Sequence, residues 1–320
     1  MRYPGGMIAS PTDYRDHKLG AYLDIFPESE MPAGFLVPPY TQEFEIPINN
    51  QYSTQTCVAQ TLAEADAQRQ YKERRFYEKM SAGYIYGNRA LGDNQTEGMI
   101  PRQALAKLCT DGVPSAADFP EIGTYPQCRD LYLARKDQLA DKAKANRVLS
   151  YIQLTSRQEI KMALMATGTL ALGITTFDNF YDVDDDGLVD PPSGDADGGH
   201  MIQVYGWRPD GRMIIANSWG GAWGKQGLCY MPFDYKAIKE VWAITDLQRR
   251  EVTAVSPAQI SPEGAFLAPV RALYEALGAT VIPTTIDGKK AAIAIIPPEL
   301  TTRRVTVIAG SKTVTVDTIA

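Results

Sequence analysis

The chain has 320 residues, of which 44% are hydrophobic and 22% are charged, and its formal net charge is −6. This length exceeds that of an average domain and predicts two, while the hydrophobic share is ordinary for a globular protein with a buried core. The acidic balance gives no indication of a nucleic acid partner, and four cysteines are too few for a disulfide framework.

Residues 1–45 are rich in proline and tyrosine and show no sustained hydrophobic periodicity. We expect an N-terminal wrap or short pro-segment that packs on the rest of the chain, and we favour packing over autoinhibition. Residues 1–30 lack the apolar core of a signal peptide, and the most apolar stretch, residues 162–174, falls short of a membrane span. We expect a soluble protein that is cytoplasmic at synthesis, with later release or surface association left open.

Helices are predicted along the first half of the chain. The stretch from Cys57 to Ala65 is alanine-rich and free of glycine and proline, and Thr56 is one of three hydroxyl side chains that can cap it. Residues 104–109 and 131–148 are also predicted to be helical, and Gly112 follows the end of the first of these.

The pattern then changes to strands. Residues 156–159, Ser-Arg-Gln-Glu, form a capping box that predicts a short helix ending at about residue 167. Apolar, β-prone runs predict five strands, at residues 170–176, 201–207, 212–216, 228–232 and 241–246. A helical half followed by a sheet half predicts an α+β fold with two lobes and a cleft between them.

An acidic segment, residues 178–197, contains eight aspartates and neither lysine nor arginine. Part of it matches the first nine positions of an EF-hand calcium loop, with candidate ligands Asp182, Asp184, Asp186, Leu188 and Asp190. The twelfth position carries Ser193 instead of glutamate, and the two preceding prolines prevent the usual helix. A calcium site is one interpretation, and an acidic loop on the cleft rim is the other. Under either interpretation the segment leads into His200, and we expect it to favour basic substrate side chains.

Four polar residues carry the strongest functional signal: Gln51, Cys57, His200 and Asn217. His200 follows Cys57 by 143 residues and precedes Asn217 by 17, and Asn217 opens the run Asn-Ser-Trp-Gly. A cysteine with histidine and asparagine about 130–150 residues downstream is the pattern of papain-type enzymes. Over roughly residues 45–248 the chain resembles the papain-like cysteine peptidase family, which implies a two-lobed fold with a helical lobe and an antiparallel β lobe.

The resemblance implies a role for each of these residues. Cys57 is expected to be the nucleophile, its thiol pKa lowered by a helix N-terminus and by His200, which then acts as general acid. Asn217 orients the imidazole, and Gln51 points its amide at the oxyanion. The predicted substrate-binding residues are Gly98, Gly199 and Trp219, of which Trp219 also covers the histidine–asparagine hydrogen bond.

Some positions depart from the family pattern. Val58 follows the nucleophile where many members have tryptophan, and Thr54, Gln55 and Thr56 replace the usual small residues before it. Gly98 stands where two glycines are common. These changes are expected to reshape the cleft without removing a catalytic atom.

After residue 248 a linker is predicted at residues 249–262, followed by a small α+β domain at residues 263–320. Residues 266–279 resemble the copper-amine-oxidase N-terminal-like domain, an accessory module often appended to bacterial extracellular proteins. The segment has no histidine and no cysteine, so it has no imidazole or thiolate ligand for copper. The resemblance implies docking to a surface or partner protein, and a bacterial or phage origin.

The resulting hypothesis is a cysteine endopeptidase, acting on protein or peptide substrates through a Cys57 thioester and needing no cofactor. Two alternatives stay open at this point. One is a catalytically silent papain-fold binding protein, and the other is an acyl transferase or cell-wall amidase that uses the same thioester.

Overall fold

A computed structural model describes most of the first 246 residues and four later strands. The described ranges are residues 5–13, 16, 19, 27–89, 97–120, 123–246, 280–286, 289–295, 303–308 and 314–318. The described parts fall into two compact units, residues 1–17 with 32–248 and residues 18–31 with 249–320. The domain boundaries expected from composition stay a prediction.

The first unit begins with a helical region. Its helices are α1 (Cys57–Arg74), α2 (Ala82–Gly87), α3 (Pro101–Thr110), α4 (Tyr125–Lys144) and α5 (Arg157–Thr167). α3 begins with Pro101, a residue favoured in the first turn of a helix. Gly112 follows its end at φ 72°, a conformation that glycine adopts readily and that terminates helices.

α1 is buried on all sides along most of its length, although many of its side chains are polar. The Glu64 carboxylate accepts hydrogen bonds from Gln68 (2.7 Å) and from the hydroxyls of Tyr77 (2.7 Å) and Tyr205 (3.0 Å). Because each such partner replaces a lost contact with water, the helix can lie in the interior.

An antiparallel sheet forms the second half of this unit. Its strands are β1 (Phe35–Leu36), β2 (Ser150–Leu154), β3 (Leu170–Phe177), β4 (Ala196–Trp207), β5 (Arg212–Ala216), β6 (Leu228–Pro232) and β7 (Ile238–Thr245). The strand order is β2-β7-β3-β4-β5-β6, with β1 paired to the end of β4. β4 therefore lies between β3 and β5 and carries His200 into the interior.

The predicted α+β arrangement of helices and antiparallel sheet is confirmed. β5 and β6 have the predicted bounds, whereas β4 begins five residues earlier than expected, at Ala196. α2 and β2 were not predicted. β2 pairs along its whole length with β7, roughly a hundred residues away, a partnership that no local pattern reveals.

The second unit contains a four-stranded antiparallel sheet. Its strands are β8 (Thr280–Ile286), β9 (Lys289–Ile295), β10 (Arg303–Ile308) and β11 (Val314–Thr318), in the order β11-β10-β9-β8. The segment that resembles the copper-amine-oxidase module, residues 266–279, lies outside the described residues. That resemblance stays a prediction. Across the described ranges, no helix is both long and apolar enough to span a membrane.

Candidate active site

Cys57 is the first residue of α1, so its thiol lies at the positive end of the helix dipole. Thr56 occupies the N-cap position without donating or accepting a side-chain capping bond. The Cys57 side chain is 0% exposed, and backbone groups of Met201 and Gly6 partly oppose the effect of this burial on the pKa of its thiol. Met201, the residue after His200, accepts a hydrogen bond from the Thr61 hydroxyl of α1 at 3.1 Å, so the strand that carries His200 packs against the helix that begins with Cys57.

The hydrogen bonds of Asn217 determine which ring nitrogen of His200 carries the proton. His200 Nε2 lies 2.7 Å from Asn217 Oδ1, which also accepts the backbone N–H of Ser218 at 2.8 Å. Because the Ser218 N–H can only donate, the atom facing His200 is the amide oxygen, and Nε2 must donate to it. The neutral imidazole then has its lone pair on Nδ1, which is buried and has no hydrogen-bond partner among the described residues. This is the tautomer that can take a proton from a thiol.

Trp219 stacks on the His200 ring, with centroids 4.7 Å apart and planes at 24°. Its other face stacks on Tyr181, at 5.2 Å and 4°. Trp219 is 1% exposed, so the histidine–asparagine hydrogen bond lies under an aromatic cover that excludes water. A hydrogen bond in such a dry site is stronger than one in solvent.

Gln51 is fully buried, and its amide is oriented at both ends. Its Oε1 accepts the Ser218 hydroxyl at 2.7 Å, and its Nε2 donates to the Thr54 carbonyl at 2.8 Å. Ser218 thus contacts both Asn217 and Gln51, a positioning role that the sequence pattern did not reveal. The only sequence feature that pointed to Ser218 was its place in the Asn-Ser-Trp-Gly run, between Asn217 and Trp219.

Burial sets the protonation of the Cys57–His200 pair. Loss of solvent raises the pKa of the Cys57 thiol to about 11 and lowers the pKa of His200 to about 4. This differs from the lowered thiol pKa expected from the helix dipole and the histidine. In this conformation both groups are neutral near pH 7, and a thiolate–imidazolium pair requires that solvent or substrate reach the site.

The acidic segment lies on β6 as a folded loop. The Tyr230 N–H donates to the Gly187 carbonyl at 2.7 Å, and Asp184 and Asp186 accept backbone N–H groups within the loop. Within the described ranges, no group of three or more His, Cys, Asp or Glu side chains is arranged to hold a metal ion. The calcium site therefore stays a prediction, and no step proposed below depends on it.

We predict that the free energy of unfolding is largest at an intermediate pH, because burial changes the pKa values of both His200 and Cys57. The His200 pKa is 6.5 when exposed and about 4 when folded, so the unfolded chain binds more protons in this window and the free energy of unfolding falls as pH drops from 6.5 to 4. The Cys57 pKa rises from 9.0 to about 11, so stability falls again as pH increases through that range. Each slope is at most about 1.4 kcal/mol per pH unit.

Urea unfolding across this pH range checks the prediction when wild type is compared with His200→Gln. The difference between the two curves isolates His200 from the many carboxylates that also titrate in acid. A difference that does not change between pH 6.5 and 4 would show that the folded imidazole titrates normally.

The fold and the buried cysteine, histidine and asparagine define a class of thiol-dependent hydrolase, and comparison with known proteins identifies the family. The sequence model described as "Papain family cysteine protease" matches residues 42–243, more than half of the chain. The chain belongs to the papain family of cysteine proteases.

Two curated relatives and several solved structures resemble the chain. It is 30% identical over 115 residues to an uncharacterized peptidase C1-like protein of Acanthamoeba polyphaga mimivirus, covering 33% of this chain and 37% of that one. It is 26% identical over 155 residues to a gut-specific cysteine proteinase of Caenorhabditis elegans, covering 42% and 46%. The match spans less than half of either relative.

Among solved structures, xylellain, a cysteine protease from Xylella fastidiosa, has a TM-score of 0.62 at 18% identity, covering 78% of this chain and 99% of that one. A procathepsin B from Trypanosoma congolense has a TM-score of 0.58 at 16% identity, covering 76% and 86%. The bromelain protease of Ananas comosus has a TM-score of 0.51 at 15% identity, covering 67% and 99%. At these identities the likeness shows the fold alone.

Proposed function

We propose that this protein is a cysteine endopeptidase that hydrolyses peptide bonds through a thioester on Cys57. The observation that carries the proposal is the 2.7 Å contact between His200 Nε2 and Asn217 Oδ1 under the Trp219 ring. It leaves the basic lone pair of His200 on Nδ1, and the next residue, Met201, is hydrogen-bonded to Thr61 of the helix that begins with Cys57. A protein that only binds peptides has no physical need for this tautomer.

In the proposed reaction, His200 Nδ1 takes the thiol proton and the sulfur attacks the substrate carbonyl carbon. The oxygen of that carbonyl becomes an oxyanion, which accepts hydrogen bonds from Gln51 Nε2 and the Cys57 backbone N–H. His200 returns the proton to the leaving amine, which breaks the peptide bond and leaves a thioester. A water molecule, deprotonated by His200, then hydrolyses the thioester and restores the thiol.

Substrate contacts are proposed at Gly98, Gly199 and Trp219. The Gly199 carbonyl accepts two backbone N–H groups of a strand-like segment, Gly6 and Met7, at 3.0 Å each. This supports Gly199 as a backbone acceptor for peptides. The acidic loop at residues 182–190 is proposed to favour basic side chains, and the C-terminal domain is proposed to dock to a surface or partner protein.

The alternative is an acyl transferase or cell-wall amidase, which shares the first half-reaction. Intact-mass analysis after mixing the protein with an activated peptide ester tests the thioester directly. We expect a mass increase equal to the acyl group in wild type and none in Cys57→Ala. Adding a primary amine then separates the two activities, because a transferase forms the amide whereas a peptidase mainly releases the free acid.

Absence of an adduct while the same peptide still binds to the protein would favour the catalytically silent alternative. The bound peptide is detected by the change in intrinsic tryptophan fluorescence, since Trp219 lies at the site.

A further inference from the structure

We propose that Arg89 is a positioning residue for substrate binding, which holds the backbone at Gly98 so that Met99 can pair with the main chain of a peptide. The proposal rests on the function proposed above, since it concerns how the same site binds its substrate. Arg89 lies two residues after the end of α2, and no motif in the sequence singled it out.

The first observation is that Met99 offers both of its backbone polar groups to an extended peptide. Its N–H donates to the Gly6 carbonyl at 2.7 Å, and its carbonyl accepts the Ile8 N–H at 2.8 Å. Residues 6–8 belong to the same chain, and they show which hydrogen bonds Met99 can make with a peptide main chain. Main-chain hydrogen bonds of this kind give affinity that does not depend on the side chains of the peptide.

The second observation is that side chains of the protein hold both backbone groups of Gly98, the residue before Met99. The Gly98 N–H donates to the Tyr86 hydroxyl at 2.8 Å, and the Gly98 carbonyl accepts a hydrogen bond from Arg89 Nη1. The Gly98 carbonyl and the Met99 N–H belong to one planar trans peptide and point in opposite directions. By fixing the carbonyl on one side, Arg89 therefore directs the Met99 N–H to the other side, where the peptide lies.

The Tyr86 hydroxyl can accept the Gly98 N–H because its own proton is used elsewhere. It donates to Glu97 Oε2 at 2.6 Å, and Glu97 Oε1 accepts the N–H of Tyr125, the first residue of α4, at 2.9 Å. Burial is the main cause that raises the pKa of Tyr86, so the hydroxyl keeps the proton that it donates. Tyr86 and Glu97 thus support the same backbone turn that Arg89 holds from its carbonyl side.

The third observation is the burial of Arg89, which is only 3% exposed and is unusual for an arginine in this respect. Its guanidinium carbon lies over the rings of Tyr125 and Tyr86, at 3.4 Å and 5.4 Å from their centroids, and both rings attract the charge. Its Nε and Nη2 groups are nevertheless buried without a hydrogen-bond partner among the described residues.

This burial distinguishes a role in the site from a role in stability. A buried charge with unmet donors destabilises a fold, and its replacement by an apolar side chain is often neutral or stabilising. The stability of the helical region therefore does not require Arg89. Its hydrogen bond to the Gly98 carbonyl gives it a purpose at the edge where the peptide binds.

The test compares two reagents that alkylate Cys57 in the full chain, in each case by displacement of a halide by the sulfur. Iodoacetamide has no peptide main chain, whereas acetyl-Ala-Ala-Lys chloromethyl ketone has one that can pair with Met99. Because both reagents must reach the same thiol, the ratio of their rate constants does not depend on how exposed or how reactive that thiol is. Intact mass, with Cys57→Ala as the unlabelled reference, assigns the label.

Arg89→Met removes the charge and the hydrogen-bond donor and keeps a long, unbranched side chain. We expect the ratio of the peptidyl rate to the iodoacetamide rate to fall about tenfold, because the Met99 N–H is no longer directed at the peptide. The thermal unfolding midpoint should stay the same or rise, since an apolar group replaces a buried charge. In peptide hydrolysis, KM should rise by a similar factor while kcat changes by less than about twofold.

Arg129→Met is the matched control. Arg129 also donates to a backbone carbonyl, that of Gly87 at 3.0 Å, and also lies over a tyrosine ring, that of Tyr132. Its contacts do not involve Gly98, so its ratio of rates should equal that of wild type. Arg89→Lys keeps a charged donor and should recover part of the ratio that Arg89→Met loses.

An unchanged ratio in Arg89→Met would overturn the proposal, and so would equal losses with both reagents, which would show that Arg89 supports the whole site. A wild-type ratio no higher than that of free cysteine would also overturn it, because the cleft would then not pair with peptides. A lower ratio in Arg89→Met without peptide hydrolysis by wild type would uphold the role of Arg89 and instead contradict the proposed peptidase. If Arg89→Met does not fold, Tyr86→Phe decides, since it removes the hydroxyl that holds the Gly98 N–H and should lower the ratio in the same way.

Discussion

Replacing Cys57 with alanine is expected to lower kcat/KM for a peptide amide by about 10⁴- to 10⁶-fold. In the proposed reaction the thiolate forms the covalent bond, and the neighbouring described side chains of Asn217 and Gln51 cannot substitute for it because an amide is not a nucleophile. His200→Ala is expected to cause a loss of similar size, because without Nδ1 the buried thiol keeps its proton.

The double variant Cys57→Ala/His200→Ala should be no slower than either single variant. Residues that act as one unit are not additive, and the remaining rate comes from substrate binding and the oxyanion donors. Cys109→Ser is the control, since Cys109 is another free thiol on a different helix.

Two results would contradict this prediction. A double variant that is much slower than both single variants would mean that the two residues act independently. Substantial activity in Cys57→Ala would place the nucleophile elsewhere.

The second large effect is expected for Gln51→Ala, which should lower kcat by about 10²- to 10³-fold with little change in KM. Gln51 donates a stronger hydrogen bond to the oxyanion than to the carbonyl of the bound substrate. Removing this donor therefore raises the free energy of the transition state more than that of the bound substrate. Gln51→Glu keeps the size of the side chain but removes the donor and adds negative charge, and its loss should be at least as large.

A separate reaction distinguishes oxyanion binding from a structural role. Alkylation of Cys57 by iodoacetamide forms no oxyanion, so Gln51→Ala should alkylate as fast as its parent while hydrolysing far more slowly. Equal losses in both reactions would show that Gln51 supports the fold of the site. Ser218→Ala is the matched variant, because it removes the 2.7 Å contact that orients Gln51 and leaves the donor itself in place. Its kcat should fall less than that of Gln51→Ala.

Several features of this protein follow from local sequence. Residues 57–65 form a helix because they are rich in alanine and contain neither glycine nor proline, and α1 continues to Arg74. β5 and β6 are short stretches rich in apolar residues that lie between turn residues. The sequence alone therefore predicted where each strand begins and ends. The candidates Cys57, His200 and Asn217 were also named from the sequence, because thiol chemistry requires these residue types and the spacing limits which residues can supply them. The structure brings His200 and Asn217 into contact.

Tertiary structure decided what local pattern could not. β2 is a strand because β7 pairs with it. Ser218 belongs to the site only because folding brings it beside Gln51, 167 positions earlier in the chain.

The state of the active site was likewise decided by tertiary structure. The sequence indicates a helix dipole and a neighbouring histidine, and both lower the pKa of the Cys57 thiol. In the folded chain, burial outweighs these effects and raises the pKa of that thiol. That burial includes Gly6, and two glycines near an N-terminus carry no local signal of a cleft almost two hundred residues away. The sequence by itself determined the candidate catalytic residues and most elements, because these depend on neighbours along the chain. Only the tertiary structure decided that the site is buried, because burial depends on contacts between distant segments.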